Sequence, residues 1–195
     1  RERTAYRIFN PNFNPLLDTA RSQISVAKEI VAREGKIDNL ILALGANNAL
    51  GALTRLEIKE TGLNSPGTFS KYNLWSANAF RQDFTALTKE VDTLMPVNSG
   101  NVFIANVPHV TIVPLANGVM RSGGQDLPKG EKYFDYYKHF WISDKDFNPD
   151  LHKHLTGAQA KAIDTRIDEY NAIIKEEVSK RPNWHLVDLC SMLDH

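Results

Sequence analysis

The chain reads Asn39-Leu40-Ile41-Leu42-Ala43-Leu44-Gly45 at its first strongly apolar run, which ends at a glycine. A short, nearly continuous apolar run is typical of a strand buried on both faces, as in a parallel sheet. We therefore expect a strand over residues 39–44. The glycine that follows lets the backbone turn sharply away from the carboxyl end of this strand.

The same pattern of a helix followed by a strand occurs three times along the chain. The periodicity predicts helix 16–34 before strand 39–44, helix 80–94 before strand 101–107, and helix 156–181 before strand 184–189. The third helix opens at Thr156, whose hydroxyl can cap it. This alternation predicts parallel strands joined by helical crossovers, and the fold class is α/β, a three-layer α/β/α sandwich with a parallel sheet.

The composition is that of one globular domain. Of 195 residues, 42% are apolar and 24% charged, and no linker or repeat divides the chain, so we predict a single domain over residues 1–195. Lys plus Arg and Asp plus Glu are both 23, so the net charge is zero and a basic nucleic-acid interface is not expected. No apolar run approaches the ~18 residues of a membrane span.

Residues 115–155 have no clear period and contain an aromatic cluster. Its members are Tyr133, Phe134, Tyr136, Tyr137, Phe140 and Trp141. A structureless insertion of this length is typical of a lid or binding loop. The alternative is that these aromatic side chains cover one edge of the core, and the sequence leaves both open.

Polar side chains follow two of the predicted strands, where sites in parallel α/β sheets form. Asn47 and Asn48 come directly after Gly45, and His109 follows the second strand. An asparagine amide at such a place can donate to an oxyanion. Alternatively, the two asparagines cap the next helix or fill a turn, and His109 is structural rather than a substrate contact.

Three blocks resemble the SGNH (GDSL-type) hydrolase superfamily, in order and over most of the chain. Residues 40–48, with Gly-Ala-Asn-Asn, look like the third block of that family, commonly Gly-x-Asn-Asp. Ala-Asn-Val-Pro-His at residues 105–109 is similar to the strand that follows it. Asp-Glu-Tyr-Asn-Ala at residues 168–172, with Leu-Val-Asp-Leu at residues 186–189, resembles the family's later helix and strand.

The resemblance implies hydrolysis of a small-molecule ester by a serine nucleophile, with an acyl-enzyme intermediate and without cofactor or metal. Asn47 matches the oxyanion-hole asparagine and Gly45 the glycine of its block. Asn48 stands where many members have Asp, and it and His109 are candidates for lining the substrate pocket. No Gly-Asp-Ser and no Asp-x-x-His occurs, so we expect those two blocks before Arg1 and beyond His195.

Two alternatives to a hydrolase stay open. One is a non-catalytic member of the same fold that binds an acyl or carbohydrate ligand. The other is a doubly wound small-molecule-binding domain, although neither glycine-rich phosphate-binding motif occurs. With no signal peptide and no cysteine pair, the location stays open and the cytoplasm is favoured.

Three further groups of residues receive structural interpretations. Asp164 and Asp168 lie one turn apart on a helix rich in Lys and Arg, so we expect both on a solvated face. The single cysteine, Cys190, follows a buried strand and is expected to be inert core, since it cannot form a Cys-rich metal site. His152 and His154 have no cysteine and few carboxylates near them, so a metal site is not expected there.

Overall fold

The structure is a computed structural model that describes residues 23–60, 72–112, 115–122 and 126–194. These residues form a mixed α/β fold, as predicted. In chain order the elements are α1 (Gln23–Glu34), β1 (Asn39–Leu42), α2 (Asn47–Arg55), α3 (Ala77–Leu94), β2 (Asn101–Ala105), a short 3-10 helix (Val110–Ile112), β3 (Ala116–Val119), β4 (Tyr136–His139), β5 (His154–Thr156), α4 (Gly157–Ser179), β6 (Trp184–Val187) and α5 (Leu189–Leu193). Residues 16–22 of the first predicted helix lie outside the described ranges.

The three predicted strands form one parallel sheet with the order β1-β2-β6. Leu42 is paired with Ile104, which in turn is paired with Leu186, so one row of side chains crosses the sheet. Because the strands are parallel, their carboxyl ends lie at the same edge of the sheet. This edge is where the candidate residues Gly45, Asn47 and Asn48 follow β1.

Strand β1 is not buried on both faces, contrary to the prediction. Leu42 is buried, but Ile41 on the opposite face is 76% exposed. Among the described residues β1 pairs with β2 only, so one of its edges is open. A cavity of about 360 Å³ runs along β1 and α1, and the side chains of Ile24 and Ala27 line it.

Helices α3 and α4 pack together through aromatic side chains. The Phe80 ring stacks on those of Phe84 and Tyr170, with centroids 5.5 Å and 4.2 Å apart. The Tyr170 hydroxyl donates to the backbone carbonyl of Trp75 at 2.6 Å, so this buried phenol is hydrogen-bonded. None of the helices in the described ranges is long and apolar enough to cross a membrane.

The predicted start of the last long helix is confirmed. The Thr156 hydroxyl accepts from the backbone N–H of Gln159, and the Gln159 side chain accepts from the backbone N–H of Thr156. This capping box satisfies donors that the first turn of a helix leaves free. The third predicted strand follows this helix and covers residues 184–187.

The insertion at residues 115–155 contains regular structure that its sequence did not indicate. Strands β3, β4 and β5 form an antiparallel sheet with that order. Tyr137 is buried in the main core, whereas Phe140 and Trp141 are exposed. Part of the aromatic cluster therefore covers the core, as one alternative proposed, and part of it faces outward. Strands of three or four residues are too short to give a visible period.

Candidate functional site

Gly45 ends β1 in a backbone conformation that favours glycine. Its φ is +117°, and a Cβ built there would lie 2.8 Å from Cγ2 of Val107 and 3.2 Å from the Phe80 ring. The loop after β1 therefore runs close against the segment that follows β2, at the carboxyl edge of the sheet. Both the turn and the close approach require the absence of a side chain at this position.

Asn47 is the first residue of α2, and its side chain is exposed. The residue before it, Ala46, occupies the N-cap position and makes no side-chain cap. No described residue is hydrogen-bonded to the Asn47 amide, so the alternative in which this asparagine caps the helix receives no support. The Asn47 amide is left available at the helix N-terminus, where the backbone dipoles favour negative charge.

Asn48 is half-buried and contributes mainly through its backbone. Its N–H donates to the carbonyl of Gly45 at 3.0 Å, and its carbonyl accepts from the N–H of Trp75 at 3.0 Å. These bonds fix the loop between β1 and α2. Asn48 therefore supports the position of Asn47. Its role in lining a substrate pocket stays a prediction.

His109 follows β2, as predicted, but it is buried, with 6% of its surface exposed. Its Nε2 lies 3.0 Å from Oδ1 of Asp168 on α4, and its Nδ1 lies 2.7 Å from Oδ2 of Asp194, after α5. The imidazole is therefore enclosed between two carboxylates from distant parts of the chain. The short 3-10 helix that follows His109 packs against α2, which connects this residue to the helix that begins at Asn47.

Asp164 corrects the expectation of a solvated acidic face. It is only 1% exposed and accepts a hydrogen bond from the Thr111 hydroxyl at 2.6 Å. Burial raises the pKa of this carboxyl above its usual value, and the hydrogen bond from Thr111 opposes the rise. Burial also raises the pKa of the neighbouring Tyr133 phenol, and the charge of Asp164 adds to the effect. Asp168, one turn along the helix, is 65% exposed at its side chain, as expected.

The loop after β6 is tied to the end of β2 by an asparagine. Asn106 donates from Nδ2 to Oδ1 of Asp188 at 2.7 Å and accepts at Oδ1 from the backbone N–H of Cys190 at 2.8 Å. The hydrogen bonds from Asn106 and Ser191 lower the pKa of the Asp188 carboxyl. This arrangement holds Cys190, which is buried as predicted, close to His109.

The structure thus separates the predicted site residues into two groups at one edge of the sheet. Gly45, Asn47 and Asn48 form an accessible loop, and His109 is buried beside Asp168, Asp194 and Cys190. Sequence reasoning missed the two acidic partners of His109, because no local spacing connects them to it. Comparison of the chain with known protein families, curated proteins and solved structures found no match.

Proposed function

We propose that this chain carries the oxyanion-binding part of a serine ester hydrolase of the SGNH type, with Asn47 as a donor to the oxyanion. The three-layer α/β/α sandwich is part of the same proposal. The observation that carries it is the Asn47 amide, which is exposed and without a described partner at the N-terminus of α2. It directly follows a parallel strand that ends in a left-handed glycine.

The chemistry of ester cleavage explains why this placement is useful. Attack of a serine on an ester turns the carbonyl oxygen into an oxyanion, and donors that are already oriented toward it lower the barrier. The Asn47 NH2 can donate such a bond, and the positive end of the α2 dipole acts in the same direction. The absence of a side chain at Gly45 lets the loop pass close to Val107, so Asn47 follows directly after the edge of the sheet.

The nucleophile and the base are the parts of this mechanism that remain to be located. A serine becomes nucleophilic when a base lies within hydrogen-bond reach of it. The first experiment therefore treats the longest natural form of the protein with a fluorophosphonate probe and maps any adduct by mass spectrometry. We expect one adduct on a serine, together with hydrolysis of a p-nitrophenyl ester.

The role of Asn47 is tested by Asn47→Ala in that same form. We expect kcat to fall roughly 10²–10³-fold, the usual effect of removing one oxyanion donor. The free energy of unfolding, measured by chemical denaturation, should not change. The control is Asn39→Ala, an exposed asparagine at the opposite end of β1. Full activity in Asn47→Ala would remove this residue from the mechanism. Saturable binding of a fatty acid without any probe adduct would support the non-catalytic ligand-binding alternative instead.

A further inference from the structure

The surroundings of His109 pose a problem of proton placement. A carboxylate only accepts hydrogen bonds, so the 3.0 Å contact with Asp168 Oδ1 requires a proton on Nε2 of His109. In the neutral imidazole Nδ1 then carries a lone pair. That lone pair lies 2.7 Å from Oδ2 of Asp194, which is also an acceptor.

Two acceptors at this distance repel each other unless a cation or a proton compensates. The Nδ1 and Oδ2 atoms are close, but they are not aligned as a hydrogen bond, and Nδ1 has no other partner among the described residues. Oδ1 of Asp194 is likewise buried without a hydrogen bond to the part of the chain that the structure describes. Unpaired buried polar atoms of this kind are rare in native proteins, and a bound ion is one of the features that explains them.

A third donor atom converges on the same point. The Sγ of Cys190 lies 3.9 Å from Oδ2 of Asp194, and one ligand atom each from His109, Cys190 and Asp194 lie within 4.8 Å of one another. His109 and Cys190 are both more than nine-tenths buried. Imidazole nitrogen, thiolate sulfur and carboxylate oxygen are together the ligand types that bind zinc.

We propose that His109 Nδ1, Cys190 Sγ and the Asp194 carboxylate bind one divalent transition-metal ion of the zinc type. This inference is independent of ester hydrolysis, and it replaces the sequence-based expectation of no metal. Binding converts the Cys190 thiol to a thiolate and releases its proton to solvent, as metal binding by cysteine requires. The ion neutralises the repulsion between Nδ1 and Asp194 and pairs the buried carboxylate.

The second shell of the site is already in place. A zinc-binding histidine typically donates its other ring N–H to a carboxylate, which fixes the tautomer and the ring orientation. Asp168 does this at Nε2 of His109. Asp168 is a positioning residue in this proposal, because it reaches the ion only through the imidazole.

The site adjusts only slightly to accept the ion. In a tetrahedral zinc site the ligand atoms lie about 3.3–3.8 Å apart, with nitrogen–oxygen pairs at the short end of this range. The Nδ1–Oδ2 pair, 2.7 Å apart, must therefore open by about 0.6–0.7 Å, and the ligand atoms, which lie within 4.8 Å of one another, must close by about 1 Å at most. Lys132 Nζ, 3.9 Å from the same Oδ2, is on an exposed side chain and can turn away. Three protein ligands leave the fourth position to water, which is the arrangement of zinc sites that stay open to a further ligand.

Cobalt(II) provides the most direct test, because its spectrum reports the ligands. Apoprotein prepared with a chelator is titrated with Co²⁺ and then with Zn²⁺, in the full natural chain and under reducing conditions. We expect one equivalent of Co²⁺ to bind with a thiolate-to-cobalt charge-transfer band and the visible bands of tetrahedral cobalt, and one equivalent of Zn²⁺ to abolish both.

Four variants distinguish this site from other histidines and acids of the chain. Cys190→Ser should remove the charge-transfer band. His109→Gln should lower zinc affinity at least 100-fold, and Asp168→Asn, at an exposed side chain, should lower it 10–100-fold, the usual effect of losing a second-shell partner. His185→Gln, an exposed histidine on β6, is the control and should bind as wild type.

Two results would overturn the proposal. One is the absence of stoichiometric binding to the wild-type chain. The other is binding that keeps its affinity in Cys190→Ser and Asp168→Asn, which would place the metal elsewhere. The metal titrations start from folded apoprotein, so each variant is first compared with wild type by circular dichroism. Asp168→Asn remains informative even if the variants at the buried residues His109 and Cys190 fail to fold.

Discussion

Gly45→Ala is expected to destabilise the protein through two separable effects. The backbone at this position has a φ of +117°, and placing an L-residue in left-handed geometry costs about 1–2 kcal/mol. The added Cβ would also lie 2.8 Å from Cγ2 of Val107, and overpacking of this kind costs about 1–3 kcal/mol. The two together predict a loss of about 2–5 kcal/mol in the free energy of unfolding.

A second glycine isolates the backbone contribution. Gly35, at the end of α1, has a φ of +85°, but no atom lies within 4 Å of the Cβ that alanine would add. Gly35→Ala should therefore lose about 1–2 kcal/mol, from the backbone alone. Urea denaturation followed by circular dichroism measures both variants, with the denaturant slope checked for two-state behaviour.

A double mutant isolates the contact with Val107. Val107→Ala removes the methyl group that the new Cβ would meet, so Gly45→Ala should be about 1–3 kcal/mol less harmful in that background than in the wild type. Equal effects in both backgrounds would refute the contact. A loss in Gly45→Ala no greater than that in Gly35→Ala would refute it independently.

Three further predictions concern other parts of the chain. Asp144→Asn should lower the free energy of unfolding, measured by urea denaturation, by about 3–5 kcal/mol. The reason is that Lys138, whose side chain is 1% exposed and 2.9 Å from the Asp144 carboxylate, becomes a buried charge without its charged partner. Lys145→Gln is the control, and a loss below about 1 kcal/mol in Asp144→Asn would contradict the expectation. Thr156→Ala should cost about 1 kcal/mol, as losses of N-caps do, and Thr156→Ser should restore most of it, since serine keeps the capping hydroxyl. Asp164 and Asp188 should have opposite effects on the free energy of unfolding in a pH series of urea denaturations. Burial raises the pKa of Asp164 above 3.8, so its contribution to stability is fully present below that pH and is lost as pH rises. Hydrogen bonds lower the pKa of Asp188, so its contribution to stability is present above pH 3.8 and is lost as pH falls. Asp164→Asn should therefore reduce the decline at rising pH and Asp188→Asn the decline at falling pH, and the reverse assignment would refute it.

The elements of the parallel sheet could be predicted because their signals are local. Thr156 and Gln159 are three residues apart, which is the spacing of a capping box, and they open the helix where the sequence indicated. The apolar run after Asn101 forms β2, which lies between two strands and alternates in burial along its length. The run at residues 39–42 has a similar composition, yet one face of β1 is open. An apolar composition indicates that a strand can be buried. The elements that pack against the strand determine whether both of its faces are buried.

The partners of His109 could not be predicted because they depend on contacts between distant segments. Asp168 is 59 residues away from His109 along the chain, and nothing in its local spacing distinguishes it from Asp164. The two acids lie one turn apart on α4, but Asp164 is buried and accepts a hydrogen bond from Thr111, whereas the side chain of Asp168 is mostly exposed. A helical repeat gives the face on which a residue lies. It does not give which loop covers that face.

The two candidate groups at the carboxyl edge differ in the property that separates transient from permanent binding. A residue that stabilises an oxyanion must be reachable and free to donate in each turnover, and Asn47 is exposed with no described partner. A residue that holds an ion permanently must be enclosed among converging donors, as His109 is beside Cys190 and Asp194. The two proposals can therefore be distinguished by experiment. Asn47→Ala should change the rate of ester hydrolysis without changing stability, and Cys190→Ser should change the metal content of the protein. A Cys190→Ser variant that lost ester hydrolysis while keeping its metal would contradict this division, because it would give the cysteine a role in the reaction rather than in metal binding.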